Sequence, residues 1–348
     1  MRIAQVAPLY EPVPPVLYGG TERVVSFLTE ELVRRGHEVT LFASGDSSTA
    51  AKLVAVTKHA ARVDAANRED LNAAHVRQLG MVFRNADAFD VIHCHVDFQA
   101  FPFTRLVRPP VVHTVHGRLD LPYLEPVFSE FRDVPIVSIS DAQRAPVAAA
   151  RPTWAGTVYH GIPLGLYPFR RGPGRYLAFL GRIAPEKRPE VAIEVAIRAG
   201  LPLKIAAKVD AVDRAFFEEH VGPLLDHPLV EYVGEVDDRE KARFLGDAIA
   251  LLFPIDWPEP FGLVMIEAMA CGTPVIASRC GSVPEVVTPG LTGFIADTVD
   301  GLVDAVARVH TIDRAECRRT AERRFSVAQM ADGYERVYER LCAPARAA

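Results

Sequence analysis

No apolar run in the 348 residues approaches the roughly 20 that a membrane-spanning helix needs, which argues against an integral membrane protein. The opening segment, residues 1–8, is apolar over too short a stretch for a secretory signal core, and no small-residue cleavage site follows it. Cysteine is scarce: five residues, at 94, 271, 280, 317 and 342, odd in number and without a C-x-x-C pair. That argues against a disulfide framework and fits a reducing cytoplasm, with membrane contact at most peripheral at the inner face. Excess positive charge is missing as well, since the net charge is −5, so a dedicated nucleic-acid partner is not expected. No Gly-x-Gly-x-x-Gly turn follows the first apolar run, which ranks a dinucleotide oxidoreductase last. What remains is an ordinary globular composition, 49% apolar and 24% charged, in a chain longer than one core usually serves.

Short β-branched runs alternate with longer amphipathic ones: residues 2–7, then a helical stretch over 21–35 closed by Gly36, then 38–42. That rhythm builds βαβ units and a parallel sheet. Further strands are expected at 91–95, 111–116 and 135–140, each ending in polar residues or glycine, at the carboxyl ends where open α/β sheets hold ligands. Proline and glycine crowd residues 157–173, which reads as a linker. Beyond it the rhythm restarts, with strands at 176–180, 203–207, 230–233, 250–254 and 274–277 and helices at 189–199, 214–225, 239–246 and 262–270. Val327, Met330, Tyr334, Val337, Tyr338 and Leu341 recur at helical spacing and predict a last helix. The expected organisation is two doubly wound α/β domains with a cleft between them, residues 1–165 and 166–325, plus a terminal helix over 326–348 that crosses back to the first.

The sharpest feature runs from Phe253 to Ala277. A buried strand is expected to end at Pro254, a loop carries Glu259, and a helix opens at Gly262. The first amides of a helix lack partners within it and the dipole is positive there, so such an end binds phosphate. Glu267, more than one turn in, is placed to reach ribose hydroxyls, and Glu259 to face a sugar. Taken as an isolated pair, a solvated loop carboxylate and a helix acid favoured by the dipole need no ligand. The glycines and prolines around them are what favour a site. Strand alternation puts Thr114 and His116 on one face and His113 on the other. His93-Cys94-His95 offers two ring ligands with no third nearby in sequence, so no metal site is expected. Ser140 reads best as a helix N-cap.

The pair Glu259 and Glu267 with Pro-Phe-Gly between them, Gly272-Thr-Pro-Val275, Gly281-Ser-Val-Pro-Glu-Val-Val287, Gly290-Leu-Thr-Gly-Phe294 and the upstream Phe179-Leu-Gly-Arg-Ile-Ala-Pro-Glu-Lys187 together resemble retaining glycosyltransferase family 4, the group 1 glycosyl transferases, over nearly the whole chain. The resemblance implies a GT-B fold of two Rossmann-like domains and a nucleotide diphosphate sugar as donor. It assigns Arg182 and Lys187 to the diphosphate, and donor contacts to Gly181, Phe261, Gly262, Leu263, Glu259 and Glu267. Two cations bracketing a helix start after a strand suit a phosphate whose charge grows as it leaves. The stretch Tyr18-Gly-Gly-Thr-Glu-Arg23 is similar to the family's glycine-rich loop, with Gly19 and Gly20 against phosphate and sugar, and His116 matches its histidine facing the transferred sugar. Catalysis would then rest on His116, Arg182, Lys187 and Glu259, with cations and a helix dipole in place of any metal or cofactor.

Three positions depart from the family pattern: His160-Gly161, where Asn-Gly is common; Asp256-Trp-Pro258, where small polar residues are usual; and Lys208 within 206–210, where a glycine-rich turn is frequent. The roles of His160, Trp257 and Lys208 stay open. The acceptor, whether carbohydrate, lipid-linked or small molecule, falls to the first domain. The rival readings are a sugar-nucleotide epimerase or a phosphorylase on the same fold, and an inactive nucleotide-sugar-binding protein.

Overall fold

In the computed structural model, which describes residues 1–17, 19–63 and 70–343, the first sheet comprises β1 (Arg2–Val6), β2 (Glu38–Ala43), β3 (Lys52–Ala55), β4 (Val91–Cys94), β5 (Val111–Thr114), β6 (Ile136–Ser138) and β7 (Trp154–Thr157). They pair in parallel in the order β3-β2-β1-β4-β5-β6-β7. The second sheet holds β8 (Tyr176–Ile183), β9 (Leu203–Val209), β10 (Val230–Gly234), β11 (Ala248–Phe253), β12 (Val275–Ser278) and β13 (Gly293–Ala296), parallel in the order β10-β9-β8-β11-β12-β13. Central strands of such sheets are covered on both faces and must be apolar throughout. Accordingly β4 is buried along its whole length, whereas the edge strands β3 and β10 are half-exposed.

In each sheet the strand order reverses beside the first strand, between β1 and β4 and again between β8 and β11. These are the switch points of a doubly wound fold, where ligands settle at the strands' carboxyl ends. The Gly20–Arg34 helix after β1 buries Val24, Val25, Leu28 and Leu32. It closes as a Schellman motif, Gly36 N–H donating to Val33 O (2.9 Å) and His37 N–H to Leu32 O (3.1 Å).

The chain divides into two units, residues 1–161 with 327–348 and residues 162–326. The division falls after Gly161 instead of at 165/166, because Ile162 is already tied to the end of the second unit. Its N–H donates to Phe325 O (2.9 Å), and it pairs with Ser326 in a parallel bridge. The terminal helix, Val327–Cys342, packs in the first unit: Arg35 donates to Asp332 Oδ1 (2.7 Å) and Ala328 O (2.8 Å), while Tyr334 and Tyr338 are wholly buried.

Other elements differ from expectation. β8 runs three residues past the expected end at 180, because its pairing with β9 continues to Ile183 opposite Val209. Gly181 and Arg182 therefore lie inside the strand, and Lys208 lies in β9 instead of a turn. The single helix expected over 214–225 is broken into Arg214–Phe216, a π turn at Phe217–Val221 and a 3-10 turn at Gly222–Leu224. Pro223 is the cause, since it has no N–H to donate and its ring clashes with the carbonyl four residues back. β5 stops at Thr114, two residues short, so His116 sits beyond the strand. Tyr18 of the glycine-rich loop lies outside the described residues.

Candidate functional site

In the second unit the two loops at the switch point are tied together. The loop after β8 turns through Pro185–Lys187, and Asp256 N–H in the loop after β11 donates to Glu186 O (2.9 Å). Lys187 Nζ is ion-paired with Glu259 Oε2. The ammonium lies 4.6 Å from the Trp257 ring centroid and 5.8 Å from that of Phe253, a cation–π clamp that accounts for tryptophan at 257. Glu259 is largely buried and its carboxylate is held by Lys187 in this state.

The loop is braced from behind. Ser282 N–H donates to Glu259 O (2.9 Å) and Ser282 Oγ to Phe261 O (2.8 Å). Gly281, at φ +50°, passes so close that a Cβ there would stand 2.3 Å from Glu259 O. Phe261 is buried, and Gly262, left-handed at φ 78°, opens the Leu263–Ala270 helix with no side-chain cap.

Arg182 points among carboxylates. It donates to Glu186 Oε1 (2.5 Å) and lies 3.6 Å from Asp210 Oδ2 and 3.5 Å from Asp213 Oδ2. Burial works against the charge of Asp210, but Lys208 and Arg182 outweigh it and lower its pKa; at Asp213 burial prevails over Arg182 and raises it. Lys208 thus faces Asp210 (3.0 Å). Glu267 is buried, and both of its hydrogen bonds fall on Oε1, from Tyr167 Oη (2.8 Å) and Lys241 Nζ (2.6 Å). Sequence reasoning missed Tyr167, Lys241, Asp210 and Asp213. No local signal marks Lys241, which in sequence already has Asp238 at i,i+3 spacing as a partner (3.3 Å).

In the first unit, β1, β4 and β5 bring a polar cluster to their carboxyl ends. His93 bonds Tyr338 Oη through Nδ1 and Thr114 Oγ1 through Nε2, both at 2.7 Å. His95 bonds Gln5 Oε1 through Nε2 (2.7 Å) and His116 Nε2 through Nδ1 (2.8 Å). With all four ring nitrogens of His93 and His95 so used, the pair is a hydrogen-bonding element. His116 also stacks on His160, centroids 5.2 Å apart at 19°, which places the departing His160 in the cluster. Burial pushes His116 and His113 down to about 3 and His93, His95 and His160 well below the ordinary range, so the cluster is neutral. His113 lies apart, bonded to Thr104 Oγ1 (2.7 Å) with its ring against Phe101. Gly19 caps the first helix ahead of Gly20, and Arg23 in that helix donates to Leu17 O (2.6 Å). Ser140 Oγ accepts from Gln143 N–H (3.1 Å), but the 3-10 helix that follows, Ala142–Ala150, has Asp141 at its N-cap, so Ser140 stands one residue ahead of the cap expected of it. Beside Gly117, a cavity of about 170 Å³ is walled by Phe98, Leu119, Tyr123, Leu124 and Phe128. Gln5, Tyr334 and Tyr338 were not singled out as site residues, because nothing local in the sequence links them to the histidines.

Two family models match, Glycosyltransferase Family 4 over residues 18–135 and Glycosyl transferases group 1 over residues 169–324. The phosphatidyl-myo-inositol mannosyltransferase of Mycolicibacterium smegmatis is 27% identical, covering 97% of this chain and 94% of its own. Sucrose-phosphate synthase from Thermosynechococcus elongatus superposes with a TM-score of 0.80 at 20% identity, over 99% of this chain and 100% of that one. Anabaena HepE, solved in complex with UDP and glucose, gives 0.76 at 16% identity, over 98% and 100%. With a family match on each of two Rossmann-ordered sheets, the chain is a glycosyltransferase enzyme related to family 4 and built on the GT-B fold.

Proposed function

We propose that the enzyme moves a sugar from a nucleoside diphosphate sugar to an acceptor hydroxyl with retention of anomeric configuration and without a divalent metal. The observation that carries this reading is the Lys187–Glu259 ion pair, set at the β8/β11 switch point on the loop that leads into the Gly262 helix end. A donor diphosphate takes Lys187 from Glu259 and draws Arg182 from Glu186 and Asp213. The carboxylate thus released accepts hydroxyls of the transferred sugar. Glu267, anchored through one oxygen by Tyr167 and Lys241, turns the other to the ribose.

The chemistry follows from where charge develops. As the bond from the anomeric carbon to the phosphate oxygen breaks, negative charge grows on the diphosphate, opposite two cations and a helix N-terminus. The acceptor oxygen attacks from the same face, and its proton passes to the departing phosphate oxygen, giving glycoside and nucleoside diphosphate. Orientation supplies the remainder of the barrier reduction. By the family resemblance His116, a neutral ring, is the residue that meets the transferred sugar. The open cavity beside Gly117, of about 170 Å³ and mostly apolar with Asp97 and Arg118 also in its lining, has room for one end of an acceptor. That Anabaena HepE was solved with UDP and glucose supports the donor class.

The test is a thermal-shift panel of UDP, GDP and ADP, followed by turnover of the matching sugar donors in EDTA and the anomeric coupling constant of the product. One diphosphate is expected to raise the melting temperature. Stabilisation by none would overturn the donor site, inversion would overturn the mechanism, and donor epimerisation without acceptor would favour the epimerase.

A further inference from the structure

We propose that Gln5, His95 and Tyr338 are positioning residues that fix the tautomer of His116, so that it turns an Nε2–H inward and presents Nδ1 as a hydrogen-bond acceptor. The inference rests on the reading that His116 meets the transferred sugar, because only there does its tautomer bear on the reaction.

Gln5 lies on the central strand β1. Its carbonyl faces His95 Nε2 (2.7 Å) and its amide donates to Tyr338 Oη (3.2 Å). A carbonyl only accepts, so the proton of that first contact belongs to His95 Nε2. A neutral ring carries one N–H, which leaves His95 Nδ1 as an acceptor. The 2.8 Å contact to His116 Nε2 then requires the proton on His116, and the neutral His116 ring keeps its lone pair on Nδ1. That atom is buried and has no hydrogen-bond partner among the described residues.

The other side of Gln5 continues in the same sense. Tyr338 receives the amide proton and donates its own to His93 Nδ1 (2.7 Å). His93 Nε2–H donates to Thr114 Oγ1 (2.7 Å), and the Thr114 hydroxyl donates to Tyr334 Oη (3.1 Å). Seven groups from β1, β4, β5, the segments after β4 and β5 and the terminal helix therefore form one chain: His116 to His95 to Gln5 to Tyr338 to His93 to Thr114 to Tyr334. Every link has one donor and one acceptor. The opposite sense also satisfies every link, but it needs the Gln5 amide reversed and leaves a buried proton on His116 Nδ1. The placement of Gln5, with its carbonyl toward His95 Nε2 and its amide toward Tyr338 Oη, selects the first sense.

The consequence is chemical. An imidazole presenting a lone pair accepts a hydrogen bond from a sugar hydroxyl; one presenting N–H would donate to the hydroxyl oxygen. Tyr338 acts on that choice from a helix whose sequence position is 222 residues from His116 (338 − 116).

The test uses the full chain labelled with ¹⁵N-histidine. Long-range ¹H–¹⁵N correlation at pH 7.5, without ligand, is expected to show His116 protonated at Nε2 and bare at Nδ1, with its signal identified by loss in His116→Gln. Protonation at Nδ1, or an averaged pair of shifts, overturns the inference. In Tyr338→Phe the Gln5 amide loses its acceptor, and His116 is expected to become a tautomer mixture. Turnover of the donor chosen from the UDP-, GDP- and ADP-sugar panel is expected to fall about tenfold in kcat with little change in KM. Tyr334→Phe, at the far end of the chain, is expected to leave the His116 shifts as they are. A folded Tyr338→Phe with wild-type shifts and kcat also overturns the inference; if that variant does not fold, the wild-type spectrum decides. Unchanged transfer in His116→Gln would instead refute the sugar-facing reading of His116 and leave the tautomer result standing.

Discussion

Lys187 and Glu259 neutralise one another in the free protein, so on the proposed reading a diphosphate competes with a carboxylate for the ammonium. Glu259→Gln keeps the shape and removes the competitor. Calorimetry is expected to show the free nucleoside diphosphate bound as tightly as in wild type or more so, while transfer falls about 10²-fold or more through loss of the sugar contact. Loss of diphosphate binding in that variant would contradict the arrangement. Lys187→Met should behave in the opposite way, weakening diphosphate and transfer together. Glu259, Lys187 and His116 could be named as candidates because each stands just past an apolar run, in a motif that resembles the family's. Tyr167 and Lys241 were not. Tyr167 meets Glu267 from 100 residues away, and no periodicity encodes that contact.

Among elements, the brace behind the Glu259 loop carries the clearest expectation. Gly281 has a positive φ and a backbone oxygen 2.3 Å from where a Cβ would lie, so Gly281→Ala has to push the Glu259 loop off the switch point. The expected outcome is loss of nucleoside diphosphate stabilisation in thermal shift at a modestly lowered melting temperature. A variant that binds and transfers normally would show the brace to be dispensable. Element type was readable from periods of two and 3.6, and most strands fall within a few residues of their expected positions. The ends were less readable, because β8 lengthens only through its pairing with β9. The π turn at Phe217–Val221 depends on how Pro223 meets the preceding turn.

At the scale of the molecule, His93, His95, His113, His116 and His160 are all held neutral, and all belong to the first unit. Their folded pKa values lie below the unfolded value of about 6.5, so in acid the unfolded chain binds more protons. Stability is therefore full above pH ~6.5 and lost as the pH falls from there, for His113 and His116 down to about 3. The slope approaches about 1.4 kcal/mol per pH unit for each such histidine. The two tryptophans report the units separately, Trp154 in the first and Trp257 in the second. Urea unfolding followed by Trp154 fluorescence in Trp257→Phe should lose its midpoint between pH 7.5 and 5.5; an unmoved midpoint would mean that the histidines protonate without unfolding. The doubled Rossmann plan was legible because its rhythm restarts after residue 173. The return of the chain was not, since it depends on Ile162 meeting Phe325 and Ser326.

That meeting makes the second unit a closed insert. Residues 162–326 enter and leave through neighbouring backbones, so the insert can complete its own sheet as soon as it is synthesised. The first unit cannot, because its buried polar chain runs through Tyr338 and ends on Tyr334, both in the terminal helix, and Gln5 finds its tyrosine 333 residues later. Domains usually finish in the order in which they are made. In this protein the half that begins first is completed last, and until the final helix arrives Gln5 and His93 lack the tyrosine hydroxyl that joins them.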